Sequence, residues 1–138
     1  MGRRFEFKKA WREAKVYDDY AHHPNEIAAA LHAARSLEPG RVICAFQPHT
    51  YSRTVSLLDE FAEALKLADK AVICPIYAAR EVNTYGISSQ DLADKIPGAE
   101  TVNDLRHAAK RLGELVQPGD LIFTMGAGDV FRITQYLE

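Results

Sequence analysis

Two carboxylates, a phenol and two imidazoles lie within residues 18–24, which read Asp-Asp-Tyr-Ala-His-His-Pro. A carboxylate here could accept hydrogen bonds from ribose hydroxyls or from water on a metal ion. The imidazoles could donate to phosphate or carboxylate oxygens, helped by the positive end of a helix that Pro24 can begin. Helix capping by Asp in a solvated turn is the alternative. A metal site is a third possibility, but adjacent histidines rarely face the same ion and no third ligand has suitable spacing.

A second polar segment, residues 46–54, reads Phe-Gln-Pro-His-Thr-Tyr-Ser-Arg-Thr. His49 and Arg53 stand four residues apart, and a guanidinium offers a planar fork that suits a carboxylate or a phosphate. The alternative is the first turn of a helix capped by Ser52 or Thr54, with Arg53 solvated. Spacing alone does not separate the two.

Two further loops carry candidate binding groups. The long segment 76–87 contains Tyr77, Arg80 and Glu81, which could equally be surface charges. Residues 125–129 form a tight turn in which Gly126, Ala127 and Gly128 could bring backbone N–H groups to an anion. Glycine needed only for turn geometry is the alternative there.

Alternating apolar runs and amphipathic segments indicate the elements that position these loops. We predict strands at 5–7, 13–18, 41–46, 71–76, 100–102 and 120–125, and helices at 25–37, 55–68, 89–96, 104–116 and 129–137. Ser88 and Asn103 are the expected N-caps of two helices. The pattern predicts one domain over residues 1–138, a three-layer α/β fold whose mostly parallel sheet of about six strands has helices on both faces.

Ligands of open parallel sheets bind beyond the carboxyl ends of the strands. That rule selects the four polar segments 18–24, 47–54, 76–87 and 125–129. We therefore expect Asp19, His23, His49 and Arg53 to surround a common hollow.

Composition excludes several classes of protein. The 138 residues carry a net charge of −2, which does not favour nucleic acid or an anionic membrane as a partner. Cys44 and Cys74 lie in apolar runs, as is typical of a reduced, cytoplasmic protein. There is no membrane-length apolar stretch, signal-peptide core, phosphate loop, nucleophile elbow or full Rossmann glycine fingerprint. The residues alone indicate an α/β domain that binds an anionic small molecule and lacks a complete set of catalytic groups of its own.

Taken together and in order, the four motifs resemble the C-terminal domain of the Mur ligases. They are Asp-Asp-Tyr-Ala-His-His-Pro-Asn-Glu-Ile from residue 18, Phe-Gln-Pro-His-Thr-Tyr-Ser-Arg-Thr from 46, Ile-Tyr-Ala-Ala-Arg-Glu from 76 and Gly-Ala-Gly-Asp from 126. The opening Arg-Arg-Phe-Glu at residues 3–6 also resembles the segment that enters this Rossmann-like domain. The likeness covers nearly the whole chain, and the first two motifs are the most specific.

The resemblance implies a cytoplasmic, three-domain, ATP-dependent ligase of peptidoglycan synthesis that adds L-alanine to UDP-N-acetylmuramate. The N-terminal domain would bind the UDP-sugar. The central domain would hold the phosphate loop and most ligands of Mg²⁺. This chain would close over the central domain, complete the nucleotide site and hold the incoming amino acid, and it would be inactive on its own. Three alternatives stay open: the related ligase that recycles a tripeptide onto the same UDP-sugar, a stand-alone nucleotide- or anion-binding module, and a His/Asp metal hydrolase.

The resemblance also assigns roles to residues. Asp19 would contact the ATP ribose, with Tyr20 and His22 flanking the nucleotide. His23, His49 and Arg53 would face the acyl substrate or the alanine carboxylate, and His23 is the candidate to take the proton of the amine. The amino-acid pocket would be lined by Tyr77, Arg80, Gly126, Ala127 and Gly128. Thr50 departs from relatives that carry a second Arg there, and no metal ligand is expected in this chain.

Overall fold

The computed structural model describes residues 3–138 and contains one six-stranded sheet with the strand order β1-β2-β6-β3-β4-β5. Only the β1–β2 pairing is antiparallel; the four other pairings are parallel. The strands are β1 Glu6–Trp11, β2 Ala14–Asp19, β3 Val42–Phe46, β4 Lys70–Ile73, β5 Glu100–Thr101 and β6 Leu121–Met125.

Helices cover both faces of this sheet. They are α1 Pro24–Arg35, α2 Tyr51–Ser56, α3 Leu58–Leu65, α4 Ser89–Ala93, α5 Leu105–Leu115 and α6 Ile133–Tyr136, the last preceded by a 3₁₀ turn, Val130–Arg132. One apolar cluster joins α1, α3 and α4 to the sheet around Phe46, Phe61 and Phe123. A second joins α5 and α6 to the opposite face around Ile43 and Ile122. The expected three-layer α/β fold with a mostly parallel sheet is confirmed.

The segment after β3 differs from the sequence-based expectation. Residues 47–54 were expected as a loop and 55–68 as one helix, but α2 already begins at Tyr51 and α3 follows after a break at Leu57. The cap is Thr50, whose side-chain oxygen accepts from the Arg53 N–H, and neither Ser52 nor Thr54 caps the helix. Thr50 has a φ of 68° and a ψ of 147°, a conformation that favours Gly and that propensity does not predict for Thr.

The ends of several other helices and strands also differ from the predicted ones. The cap of α5 is Asp104 rather than Asn103, because the Asp104 carboxylate accepts from the His107 N–H. The Ser88 cap is confirmed, with Asp91 accepting from the Ser88 N–H, but α4 ends at Ala93. The expected strand 5–7 extends to Trp11, the strand 71–76 ends at Ile73, and the last helix is shorter than 129–137.

Both edges of the sheet are short or irregular. β5 has two residues, and β1 carries a bulge between Phe7 and Lys9. Lys8 is exposed on the outer strand and pairs with Glu6 at 3.4 Å. These features leave little regular strand edge open to solvent.

An ion pair lies at the end of the sheet where the parallel strands begin. Two guanidinium nitrogens of Arg41 donate to the two carboxylate oxygens of Asp120 at 3.0 and 2.8 Å, and Arg41 Nη2 also donates to the Leu115 carbonyl oxygen at 2.7 Å. The Asp120 side chain is almost fully buried. A buried carboxylate needs such a partner, so Arg41 holds this end of the sheet to the end of α5.

Cys44 and Cys74 are both buried and free, and burial raises the pKa of the Cys74 thiol to about 12. Over residues 3–138, no helix has the length and apolar character needed to cross a membrane.

Candidate functional site

Backbone hydrogen bonds continue past the strand ends and join the four polar loops. The Gly126 N–H donates to the Asp19 carbonyl oxygen at 3.1 Å, and the Gln47 N–H donates to that of Met125 at 2.9 Å. The Cys74 N–H donates to the Phe46 carbonyl oxygen at 2.8 Å. The segments expected to meet at this edge therefore do so.

Five aromatic side chains from three of these loops gather at the edge. The rings of His49 and Tyr77 stack with centroids 5.5 Å apart and planes 16° apart. The His22 ring lies 6.0 Å from that of His49 and 6.4 Å from that of His23. Tyr20 packs edge-on against His22 at 5.2 Å. We call Tyr20, His22, His23, His49 and Tyr77 the aromatic cluster.

Arg53 lies beside this cluster because α2 begins so early. One turn of helix brings its guanidinium to His49, with Arg53 Nη1 and His49 Nδ1 3.2 Å apart. Burial, the charge of Arg53 and the neighbouring His22 lower the pKa of His49. The imidazole is therefore neutral at pH 7, and its Nδ1 accepts from the guanidinium, which leaves Nε2 to carry the proton.

The loop after β4 is fastened to the loop after β3. Tyr77 donates its N–H to the Pro48 carbonyl oxygen and accepts from the Thr50 N–H, both at 2.8 Å. Farther along, the Glu81 carboxylate accepts from the backbone N–H of Ser52 at 3.0 Å and from its hydroxyl. These Ser52 bonds lower the pKa of Glu81.

Arg80 stands apart from the other candidates. Within residues 3–138 its exposed side chain forms no ion pair with an acidic side chain. Ala79 and Arg80 have φ values of 52° and 87°, so two consecutive residues adopt a left-handed backbone. Such strain is typical of functional loops and is held here by the Tyr77 and Glu81 contacts on either side.

The turn at residues 126–128 needs glycine for space as well as for backbone conformation. Gly126 has a φ of 148°, and a Cβ there would lie 2.8 Å from the Gln47 carbonyl oxygen. A Cβ on Gly128 would lie 2.5 Å from Gln47 Oε1 and 2.7 Å from Tyr77 Cγ. The turn thus packs directly against two of the other loops.

Gln47 packs against the 126–128 turn and stabilises it. Its Nε2 donates to Asp129 Oδ1 at 2.7 Å, while its buried Oε1 has no hydrogen-bond partner within the described part of the chain. We assigned no role to Gln47 from the sequence, although its place immediately after a buried strand was a usable signal.

The Asp19 carboxylate hydrogen-bonds to backbone N–H groups rather than to the aromatic cluster or to Arg53. It is buried and accepts from the Ala21 N–H at 2.8 Å and the Phe5 N–H at 2.9 Å. Burial raises the pKa of Asp19, against the lowering effect of these two N–H groups. It lines a groove of about 430 Å³ together with Arg4 and Glu26. The turn after β2 folds over the Asp19 side chain, and the expectation that Asp19 shares a hollow with His49 and Arg53 stays a prediction.

His23 is the N-cap residue of α1 and is exposed. Glu26 Oε1 accepts from the N–H groups of His22 and His23 at 3.2 and 3.3 Å, so the cap comes from inside the helix rather than from Asp18 or Asp19. Pro24 occupies the first helical position as expected.

Over residues 3–138, no group of three or more His, Cys, Asp or Glu side chains is arranged to hold a metal ion.

We predict that Gly128→Ala displaces the Tyr77 ring and the Gln47 side chain, since the added methyl has no room between them. A crystal structure of the variant would show the shift, with a fall in Tm. Gly40→Ala is the control, because its Cβ would meet its nearest neighbour at an ordinary 3.4 Å. An unmoved Tyr77 ring would contradict the close packing described here.

We also predict that Arg53→Gln raises the pKa of His49 towards the ordinary value of 6.5, because it removes a positive charge and the donor to Nδ1. Titration of the imidazole resonances by NMR measures the midpoint. Arg80→Gln, which removes a charge from the loop after β4 without a His49 contact, should leave the His49 pKa unchanged. A lower midpoint in Arg53→Gln would show that the guanidinium does not set the state of His49.

The chain matches the family described as Mur ligase, glutamate ligase domain, over residues 3–128. It is 50% identical over 139 aligned positions to the UDP-N-acetylmuramate–L-alanine ligase of Lachnospira eligens, covering 98% of this chain and 30% of the relative. The chain thus spans less than a third of the length of that relative.

Solved structures show the same fold. The UDP-N-acetylmuramate–alanine ligase of Thermotoga maritima is 26% identical, with a TM-score of 0.78, and the match covers 99% of this chain and 29% of that one. A domain from a putative UDP-N-acetylmuramate:L-alanyl-γ-D-glutamyl-meso-diaminopimelate ligase of Haemophilus ducreyi is also 26% identical, with a TM-score of 0.71, covering 97% of this chain and 96% of that one. The chain belongs to the Mur ligase family and corresponds to the C-terminal domain of these enzymes.

Proposed function

We propose that this chain is the C-terminal domain of a three-domain, ATP-dependent ligase that joins L-alanine to UDP-N-acetylmuramate in peptidoglycan synthesis. The observation that carries the proposal is the 50% identity, over almost the entire chain, to a ligase of that name. The position of Arg53, His49 and the 126–128 turn at one edge of the sheet supports it.

In the proposed reaction the muramate carboxylate attacks the γ-phosphorus of ATP, which gives an acyl phosphate and ADP. The amine of L-alanine then attacks the acyl carbon, loses a proton, and inorganic phosphate leaves. An acyl phosphate hydrolyses easily, so a domain that closes over it and excludes water protects this intermediate until the amine attacks. The chain has no phosphate loop, so the proposal assigns phosphoryl transfer to the central domain.

Arg53 is the proposed partner of the L-alanine carboxylate. Its guanidinium lies beside the aromatic cluster and donates one N–H to His49 Nδ1, which leaves its other N–H groups free to bind a carboxylate. His49, neutral and protonated at Nε2, would add a further donor. Tyr77, Arg80 and the turn of Gly126, Ala127 and Gly128 would complete the pocket.

His23 is the proposed proton acceptor for the amine. Its imidazole is exposed at the start of α1, and its ring centroid lies 6.4 Å from that of His22. The Nδ1 of His49 is already engaged by Arg53, which makes His49 the weaker candidate for that step.

The nucleotide is proposed to lie on the β2 side of the site. Tyr20 is 40% exposed and, with His22, offers aromatic surface to a base. Asp19 keeps lone pairs beyond the two it uses for backbone N–H groups, so a ribose contact requires only that the groove beside it open. The ligands for Mg²⁺ are proposed to come mainly from the central domain and the substrates. ATP and a UDP-sugar as substrates would place the reaction in the cytoplasm.

A ligase that recycles a tripeptide onto the same UDP-sugar is the second candidate. The domain from Haemophilus ducreyi, named for such a peptide, shares the fold over nearly its full length.

Phosphate release by the intact parent protein separates the two. With ATP, Mg²⁺ and UDP-N-acetylmuramate, we expect turnover with L-alanine and little with the tripeptide, and none from this 138-residue chain alone. Preference for the tripeptide would replace the first candidate by the second. Turnover by the isolated chain would contradict its role as a closing domain.

In the intact ligase we predict that Arg53→Ala raises the KM for L-alanine by about 10- to 100-fold, the scale of a lost charge-assisted hydrogen bond, and the KM for ATP much less. Steady-state kinetics with each substrate varied in turn measure both constants. Arg35→Ala, which removes an exposed ion pair with Asp69 at the far end of α1, is the control. A larger effect on ATP would show that Arg53 is misassigned.

A further inference from the structure

The side chain of Arg3 makes an unusual set of contacts for a residue outside the regular elements. Its Nε donates to Asp18 Oδ2 at 2.8 Å, its Nη2 to the Gly126 carbonyl oxygen at 2.7 Å and its Nη1 to that of Gly128 at 3.2 Å. All three guanidinium nitrogens are therefore engaged. The carbonyl oxygen of Arg3 also accepts from the Tyr20 N–H.

Two aromatic rings flank the same guanidinium. Its central carbon lies 5.2 Å from the centroid of Tyr20 and 4.8 Å from that of Phe131. A planar guanidinium can stack on rings while its edge donates hydrogen bonds, which an ammonium group cannot do. Tyr20 is thus held both through its backbone and through its ring.

A fully buried carboxylate fixes the charge of Arg3 in place. Asp18 lies on β2, and its other oxygen, Oδ1, accepts from the Thr124 hydroxyl of the adjacent β6 at 2.7 Å. The Arg3 side chain itself is only 23% exposed. A carboxylate buried to this degree strongly favours a paired cation, so the Arg3 position is tied to the rigid centre of the sheet.

The two carbonyl contacts determine how the turn presents its N–H groups. No peptide bond between the described residues 3–138 is cis, so the carbonyl of each peptide points away from the N–H that follows it. With the carbonyls of Gly126 and Gly128 aimed at Arg3, the N–H groups of Ala127 and Asp129 point away from it. Neither N–H has a backbone acceptor among residues 3–138.

We propose that Arg3 is a positioning residue that couples the two halves of the site: one guanidinium fixes Tyr20 on the nucleotide side and the 126–128 turn on the amino-acid side. The naming of those two sides rests on the proposed function, whereas the coupling itself does not. Loss of the Arg3 guanidinium should therefore displace Tyr20 and the 126–128 turn together.

Arg41 provides a matched control. Its partly exposed side chain also pairs with a buried carboxylate, Asp120, and donates to a backbone carbonyl oxygen. These contacts lie at the other end of the strands, where the parallel strands begin. Changing either Arg to Lys keeps a charge for the buried carboxylate, so both variants should fold. Only the substitution of Arg3 removes contacts at the site.

The first measurement uses this 138-residue chain and NMR. We expect Arg3→Lys to shift the amide resonances of Ala127 and Asp129 and the ring resonances of Tyr20, and Arg41→Lys to leave all of them in place. Movement of only one side, of neither, or equal movement in Arg41→Lys would overturn the coupling.

The second measurement uses the intact ligase. We expect Arg3→Lys to raise the KM for ATP and for the amino acid together, each by about tenfold, a scale that small misplacements of binding groups produce. Arg41→Lys should lower Tm comparably without changing either KM. A change in Tm alone would reduce Arg3 to a structural residue and overturn the proposal. If the wild-type parent lacks alanine ligase activity, the proposed function fails, and the NMR result still decides the coupling.

Discussion

The carboxyl end of β6 is held between its two neighbours by backbone hydrogen bonds, through the Gly126 N–H to β2 and through the Met125 carbonyl oxygen to the loop after β3. Because β6 is central and every residue in it is buried, these bonds fix the 126–128 turn relative to the polar loops on either side. The aromatic cluster, Arg53 and Gln47 all take their positions from that arrangement. A shift of the turn would therefore move several candidate groups at once.

The site carries the local costs that this arrangement imposes. Thr50, Ala79 and Arg80 have left-handed backbones, each costing on the order of 1–3 kcal/mol, and Gln47 Oε1 is buried without a partner. Hydrogen bonds of Tyr77 and Glu81 with the loop after β3 join the segments that carry Thr50, Ala79 and Arg80. Positive φ values at Thr50, Ala79 and Arg80 are consistent with binding groups arranged before any ligand arrives.

The order of strands and helices, and the edge at which the polar loops meet, could be predicted because apolar periodicity and the carboxyl-end rule depend on local pattern. The early start of α2 could not, since it depends on a positive φ at Thr50 that the loop after β4 stabilises by hydrogen bonding. The burial of Asp19 and the contacts of Arg3 were equally out of reach. Both depend on the residues preceding β1 folding back across the end of β2, a long-range event without a periodic signal.

The irregular edges of the sheet have a consequence for the behaviour of the domain at high concentration. Outer strands that are long, flat and apolar invite copies of a protein to join their sheets into aggregates. Here one outer strand is two residues long, and the other is interrupted by a bulge and carries charged side chains. Intermolecular strand addition is thereby disfavoured, so this domain should tolerate being produced and studied apart from a larger polypeptide.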